Sequence, residues 1–313
     1  MKLPLRGIIP PVVTPLLSED EIDTQGLASL VDHLILGGVH GLFLLGTTGE
    51  ASSLGYRLKE ELVRTACRLV GKRIPVVAGI TDSSPGASVE MAWCYKEAGV
   101  DAVVIAPPYY VPISQEEMVH YLSGIVPKLP LPFMMYNIPS HTKLHMSEET
   151  VDAAREMGAI GIKDSSGDLF YLYSLIGKFK AYPEFAVIAG TEMFIPETML
   201  FGGHGAIAGG ANIFPALFVD LYEASLSGNL ERIRILRQIV MEIYKTIYSV
   251  GVNASKYTLG IKSSLEVLQI CSGYVASPMR IFSGEERERI RISVEWVNRM
   301  YNNFLTFGKI EME

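Results

Sequence analysis

Hydrophobic and polar positions follow two alternating rhythms over most of the chain. Short apolar runs recur at 7–13, 41–46, 75–80, 101–106, 132–138, 159–163, 185–190 and 205–209. Turn chemistry rich in Gly, Pro, Thr or Asp ends most of them. Stretches with helical spacing follow near 24–37, 56–71, 86–98, 114–126, 147–157, 168–180, 191–201 and 214–227. Short runs that are apolar throughout suit parallel strands buried on both faces, and the longer periodic stretches suit helices covering them. Eight strand–helix units predict an α/β chain closed into a (β/α)8 TIM barrel. No G-x-G-x-x-G follows any of the strands, which argues against an open doubly wound sheet. Beyond 227 only helical periodicity remains, at 229–249, 255–270 and 284–305. The expected organisation is a catalytic barrel over 1–227 and a helical extension over 228–313.

Bulk properties narrow the classes of function. A hydrophobic fraction of 49% in 313 residues supplies a large core, and no stretch has the composition of disorder. Net charge is −7 and the basic residues form no long run, which excludes a dedicated nucleic-acid surface. Cys67, Cys94 and Cys271 lack metal-type spacing and read as free thiols in a reducing compartment. The opening MKLPLRGIIPPVVTP is too broken by proline for a signal sequence, and no run reaches the roughly 18 apolar residues of a membrane span. A cytoplasmic protein without membrane association is expected.

The chemistry is expected at the carboxyl ends of the strands, where barrels of this type build their sites. Those ends carry Thr47 and Thr48, Tyr109 and Tyr110, Tyr136, Lys163, Gly190, and Ile207 with Ala208. On a strand Ala159, Gly161 and Lys163 share one face, with Ile160 and Ile162 on the other. A lysine ending a buried strand is costly unless its charge is relieved, and desolvation makes such an amine a Schiff-base nucleophile. The competing reading is a rim lysine that snorkels or pairs with Asp164. Tyr136 lies on the neighbouring strand, so a phenol able to shuttle protons could meet the amine. The His141–His145 spacing is not expected on a helix because Pro139 is just upstream. With no third ligand, a metal site is not expected. Thr47-Thr48-Gly49-Glu50 also reads as a capped turn, with Glu50 structural.

Gly46-Thr47-Thr48-Gly49-Glu50, Tyr136-Asn137-Ile138-Pro139-Ser140 and Gly161-Ile162-Lys163-Asp164 resemble the dihydrodipicolinate synthase / N-acetylneuraminate lyase family. Pro107-Pro108-Tyr109-Tyr110, Gly202-Gly203-His204-Gly205 and the helical C-terminus extend the resemblance over nearly the whole chain. It implies a class I aldolase in which a lysine forms a Schiff base with pyruvate or another 2-oxo acid, without metal or organic cofactor. It also implies a homotetramer arranged as a dimer of dimers. By that resemblance Lys163 is the Schiff-base residue and Tyr136 the proton-transfer residue. Thr47 and Thr48 bind the carboxylate and relay protons, Gly190 and Ile207 complete the substrate site, and Tyr110 reaches into a neighbouring subunit.

One position departs from the synthases, which carry an arginine where this chain has His141; Lys143 replaces a glycine common in relatives. Imidazole lacks the bidentate fork of a guanidinium and is largely neutral at pH 7. With Asp164-Ser165-Ser166-Gly167-Asp168, this favours retro-aldol cleavage of a 2-oxo-3-deoxy sugar acid, or an N-acetylneuraminate-like acid, to pyruvate and an aldehyde. The alternatives are condensation of pyruvate with aspartate semialdehyde, as in 4-hydroxy-tetrahydrodipicolinate synthase, a metal-dependent aldolase, and a barrel that only binds 2-oxo acids.

Overall fold

The structure is a computed structural model and describes residues 1–310. Eight parallel strands form the barrel: β1 (Gly7–Ile8), β2 (Leu42–Leu44), β3 (Val76–Gly79), β4 (Ala102–Ile105), β5 (Phe133–Asn137), β6 (Gly161–Asp164), β7 (Ala186–Ala189) and β8 (Gly205–Ala206). The ladder runs β1-β8-β7-β6-β5-β4-β3-β2. It closes where Pro11 bridges Phe43, with Phe43 N–H donating to Pro10 O at 3.0 Å and Val12 N–H to Phe43 O at 2.9 Å. The first strand is shorter than the expected 7–13 because Pro10 and Pro11 have no N–H to give a ladder.

Helices α1 (Thr24–Leu36), α2 (Tyr56–Val70), α3 (Pro85–Ala98), α4 (Gln115–Ile125), α5 (Glu148–Glu156), α6 (Leu169–Phe179), α7 (Ile195–Leu200) and α8 (Pro215–Leu226) follow the strands in turn. Their starts are set by side chains that accept from free N–H groups: Asp23, Ser84, Ser114, Ser147 and Asp168. Ser114 and Glu117 form a full capping box. The stretch 191–201, expected as one helix, splits into a 3-10 turn Glu192–Phe194 and α7 because Pro196 can only enter a helix in its first turn. A hairpin of Leu16–Ser18 and Glu21–Ile22 precedes α1; it is too short to show a period-two pattern.

Two apolar clusters confirm the alternation along each strand. In β5, Met134 and Tyr136 join Ile9, Phe43, Val104 and Ile188 inside the barrel, while Phe133 and Met135 pack outward under the helices. In β6, Ile162 packs outward, opposite to Lys163. The same-face expectation fails for Ala159, which joins the outer cluster while Ile160 packs against the inner one. The strand starts only at Gly161, after a turn through Gly158 at φ +100°. Gly161 is required by its neighbour: a Cβ there would meet Ala186 O at 2.5 Å.

Three helices follow the barrel: α9 (Leu230–Thr246), α10 (Lys256–Val267) and α11 (Gly284–Phe307). α9 packs on α8 and α11, and α10 reaches the turn Gly209–Asn212 beyond β8. Among the described residues no helix is long and apolar enough to cross a membrane.

Candidate active site

Pairing of β5 with β6 puts Tyr136 and Lys163 side by side in register, followed by Asn137 and Asp164. Both side chains are buried, at 6% and 4% exposure. Lys163 Nζ lies 3.9 Å from the Tyr136 ring centroid and 5.1 Å from that of Phe43. The competing pairing with Asp164 does not occur. That carboxylate accepts from Asn137 Nδ2 at 2.8 Å and from the Ser166 hydroxyl and N–H at 2.8 and 3.2 Å. Burial lifts the Asp164 carboxyl above the usual range against these bonds. Asn137 also accepts from Met146 N–H at 3.1 Å, so the ends of β5 and β6 are tied to the following loop.

Burial alone would raise the Tyr136 phenol. The Lys163 charge and hydrogen bonds with Thr47, Lys163 and Ser165 outweigh it and hold the group below its ordinary value. Tyr136 Oη and Thr47 Oγ1 are 3.4 Å apart. Ser165 was not singled out from the sequence, although residue parity along β6 puts it on the face of Lys163.

The loop after β2 carries Thr47 and Thr48. Glu50 N–H donates to Thr47 O and Ala51 N–H to Gly46 O, folding the loop back. The N–H groups of Gly46, Thr47, Thr48 and Gly49 have no hydrogen-bond partner among the described residues. Free N–H groups in such a loop can serve as a cradle for an anion such as a carboxylate, and Gly46 and Thr47 of this loop line the cavity. Leu45 and Glu50 flank the cradle at φ 56° and 60°, in the left-handed region. Tyr110 (83°) and Lys143 (64°) share that conformation at the same end of the barrel. Each costs about 1–3 kcal/mol, and such strain concentrates at functional sites.

A cavity of about 230 Å³ opens beside these groups, lined by Phe43, Thr47, Thr81, Tyr109, Tyr136 and His141 among others. Lys163 is not among its lining residues; the amine lies over the Tyr136 ring, which is. Of the tyrosine pair, Tyr109 faces this chain's own cavity, whereas Tyr110 is 95% exposed. Thr48 is buried and stands outside the lining, as do Gly190 and Ile207. The Gly190 and Ile207 amides are already committed to Asp164 O and Ala189 O.

His141 lies on a single helical turn, Pro139–Thr142, that had not been expected. Pro139 begins the turn, where its missing N–H costs nothing, so it is no obstacle to a helix. His145 falls beyond the turn, and the two imidazoles do not share a helical face. Partial burial, then the charges of Lys143 and Lys163, hold the His141 imidazole below its ordinary pKa. Its Nδ1 is 2.8 Å from Ser140 Oγ. Lys143 occupies the left-handed position that ends the turn, a conformation that glycine adopts without strain. Among the described residues no group of three or more His, Cys, Asp or Glu side chains is placed to hold a metal ion.

Comparison with known proteins gives one answer. A family model described as the dihydrodipicolinate synthetase family matches residues 4–296. The chain is 34% identical over 240 residues to YagE of Escherichia coli (strain K12), provisionally named a 2-dehydro-3-deoxy-D-gluconate aldolase, covering 76% of this chain and 80% of that one. The YagE crystal structure, in complex with pyruvate, superposes with a TM-score of 0.88 over 94% of this chain and 99% of YagE. The structure of dihydrodipicolinate synthase from Bacteroides thetaiotaomicron matches at 44% identity and a TM-score of 0.92, covering 94% of this chain and 99% of that one. A 4-hydroxy-tetrahydrodipicolinate synthase from Polynucleobacter asymbioticus is 30% identical over 300 residues, covering 95% and 96% of the two chains.

Proposed function

The chain belongs to the dihydrodipicolinate synthetase family and is a class I, pyruvate-dependent carbon–carbon lyase; from that premise we propose retro-aldol cleavage of a 2-oxo-3-deoxy sugar acid to pyruvate and an aldehyde. The observation that carries the site assignment is the register pairing of Tyr136 with Lys163. The cradle of free N–H groups at 46–49 supports it.

The Lys163 amine condenses with the C2 carbonyl, releases water and forms a protonated imine. The substrate carboxylate takes the Gly46–Gly49 cradle with the Thr47 and Thr48 hydroxyls. The Tyr136 phenolate, favoured by the cation beside it, accepts the proton of the C4 hydroxyl. The C3–C4 bond breaks, its electron pair moves to the imine, and the aldehyde departs. Tyr136 returns its proton to C3 of the enamine, and water releases pyruvate from Lys163. His141, neutral at pH 7, meets hydroxyl groups of the substrate tail. The exposure of Tyr110 and its left-handed backbone support the reading that it meets a second copy in a tetramer.

Similarity to the B. thetaiotaomicron synthase favours a second reading, condensation of the same pyruvate enamine with aspartate semialdehyde. Borohydride reduction with pyruvate, followed by peptide mass spectrometry, tests the shared step; a reduced pyruvyl adduct on Lys163 is expected. Turnover of a panel of 2-oxo-3-deoxy acids, compared with aspartate semialdehyde, then decides between the two. An adduct on another lysine, or none with any 2-oxo acid, sinks the assignment of Lys163.

A further inference from the structure

Glu50 and Lys262 form an ion pair with both side chains at 0% exposure, and neither lines the cavity. Lys262 Nζ donates to Glu50 Oε1, and the N–H of Ala276 donates to Oε2 at 2.7 Å. The lysine comes from α10 and Ala276 from the segment between α10 and α11, so both partners of the Glu50 carboxylate lie in the extension that follows the barrel. Glu50 directly follows the Gly46–Gly49 cradle, and its own N–H bonds back to Thr47 O. From the other side Thr14 Oγ1 donates to Gly49 O at 2.7 Å, and a Cβ on Gly49 would meet Val12 O at 2.9 Å.

We infer that the Glu50–Lys262 pair is a clamp by which the C-terminal helices position the cradle for the substrate carboxylate. Glu50 and Lys262 are positioning residues: neither lines the cavity, and both act through the backbone of Thr47 and Thr48. The geometry supports this over plain stability. A buried ion pair is poor stabilisation compared with apolar groups of the same size. This one grips the residue next to four N–H groups that the fold leaves free. The inference rests on the carboxylate-binding reading of that loop.

The test uses the full-length chain carrying Glu50→Gln with Lys262→Met, which removes both charges at nearly constant volume and avoids stranding either one. Glu50→Gln alone is measured beside it wherever it folds. The folded double variant is expected to show a KM for the 2-oxo acid raised about 10- to 100-fold, the effect of weakened charge-assisted hydrogen bonds to its carboxylate. Its kcat is expected to stay within about threefold, the signature of lost binding rather than lost chemistry. The pyruvate concentration that half-saturates borohydride trapping should rise in parallel. Amide hydrogen exchange should quicken in the peptide spanning 46–54, where Glu50 and Ala51 N–H hold the loop. Unchanged KM and unchanged exchange in a folded variant, whatever its melting temperature, would overturn the clamp. A wild-type chain that forms no pyruvate adduct would instead sink the functional reading, and exchange would still decide the clamp without substrate.

Discussion

Replacing Tyr136 with phenylalanine removes one oxygen and leaves the ring. The ring keeps its edge contact with Phe43, at 6.2 Å between centroids, and stays 3.9 Å from Lys163 Nζ. The bond lost to Thr47 is long, at 3.4 Å, and Thr47 is exposed enough for water to replace it. The phenol also gives up its bonds with Lys163 and Ser165, so the expected loss of stability is about 1–3 kcal/mol. Turnover responds differently under the proposed mechanism, in which the phenol takes the C4 proton. Loss of one general acid–base costs about two to four orders of magnitude. At 1.36 kcal/mol per tenfold, that is about 3–5 kcal/mol of transition-state stabilisation. The melting temperature and the turnover number thus separate the two roles in one variant. The assay is steady-state release of pyruvate from a 2-oxo-3-deoxy acid, with thermal unfolding run in parallel. The pH profile adds an independent reading. The Lys163 charge holds the phenol below its ordinary value, so the wild-type rate should rise with pH before the usual phenol range is reached. Tyr136→Phe should lack that rise. A turnover within about fivefold of wild type, with the Lys163 adduct intact, would remove Tyr136 from proton transfer.

Two further predictions concern histidines. His141→Arg supplies the fork that the synthases use, and a charge-assisted bond is worth about 1.5–3 kcal/mol. The ratio of kcat/KM for aspartate semialdehyde to that for the sugar acid should therefore rise about 10- to 100-fold; an unchanged ratio would show that residue 141 does not read the substrate tail. His33, His40, His141 and His204 are all held below the ordinary histidine value, chiefly by burial. The unfolded chain then binds more protons as pH drops below about 6.5, so stability is full above that value and is lost as pH falls towards the folded values. His40 Nδ1 accepts from Ile8 N–H and His204 Nδ1 from Val187 N–H, bonds that a protonated ring cannot accept. Denaturant midpoints measured from pH 8 to 5 should fall; a midpoint that rises on acidification would contradict the linkage.

The strand–helix rhythm was legible because parallel barrel strands are buried on both faces and most of the helices carry an apolar stripe. The ends of the elements were less so. Pro10 and Pro11 shorten β1 without changing its hydrophobicity, and Pro139 reads as a helix breaker until its position at the start of a turn is known. The juxtaposition of Tyr136 and Lys163 could be inferred, since sequential strands are neighbours in a closed barrel. Their equal height could not, because register depends on strand lengths that composition does not encode. Ser165 escaped notice inside a run of turn residues, where polar character signals a loop as readily as a site. Glu50 ends the Gly46–Glu50 motif, but its partner Lys262 lies 212 positions away and belongs to no motif, so nothing local announces the pair.

The placement of these groups suggests why related barrels can keep one mechanism and change substrates. Lys163 and Tyr136 sit on adjacent strands whose side chains interlock with the barrel interior, so any movement there disturbs many neighbours. His141 sits on a turn that supplies most of its own hydrogen bonds. His141 N–H and Thr142 Oγ1 bond to Ile138 O, and Lys143 N–H bonds to Pro139 O. Lys143 Nζ bonds to Ser140 O, closing the turn on itself. Its conformation does not depend on which side chain stands at 141, since that residue contributes only its backbone and a contact with its neighbour Ser140. A change from arginine to histidine there can alter what the tail of the substrate meets while the Schiff-base strand, the phenol and the cradle stay in place. The relatives that this chain resembles are named for different reactions, a 2-dehydro-3-deoxy-D-gluconate aldolase and 4-hydroxy-tetrahydrodipicolinate synthases, and a self-contained turn beside the cavity is where such a difference can be made at least cost to the fold.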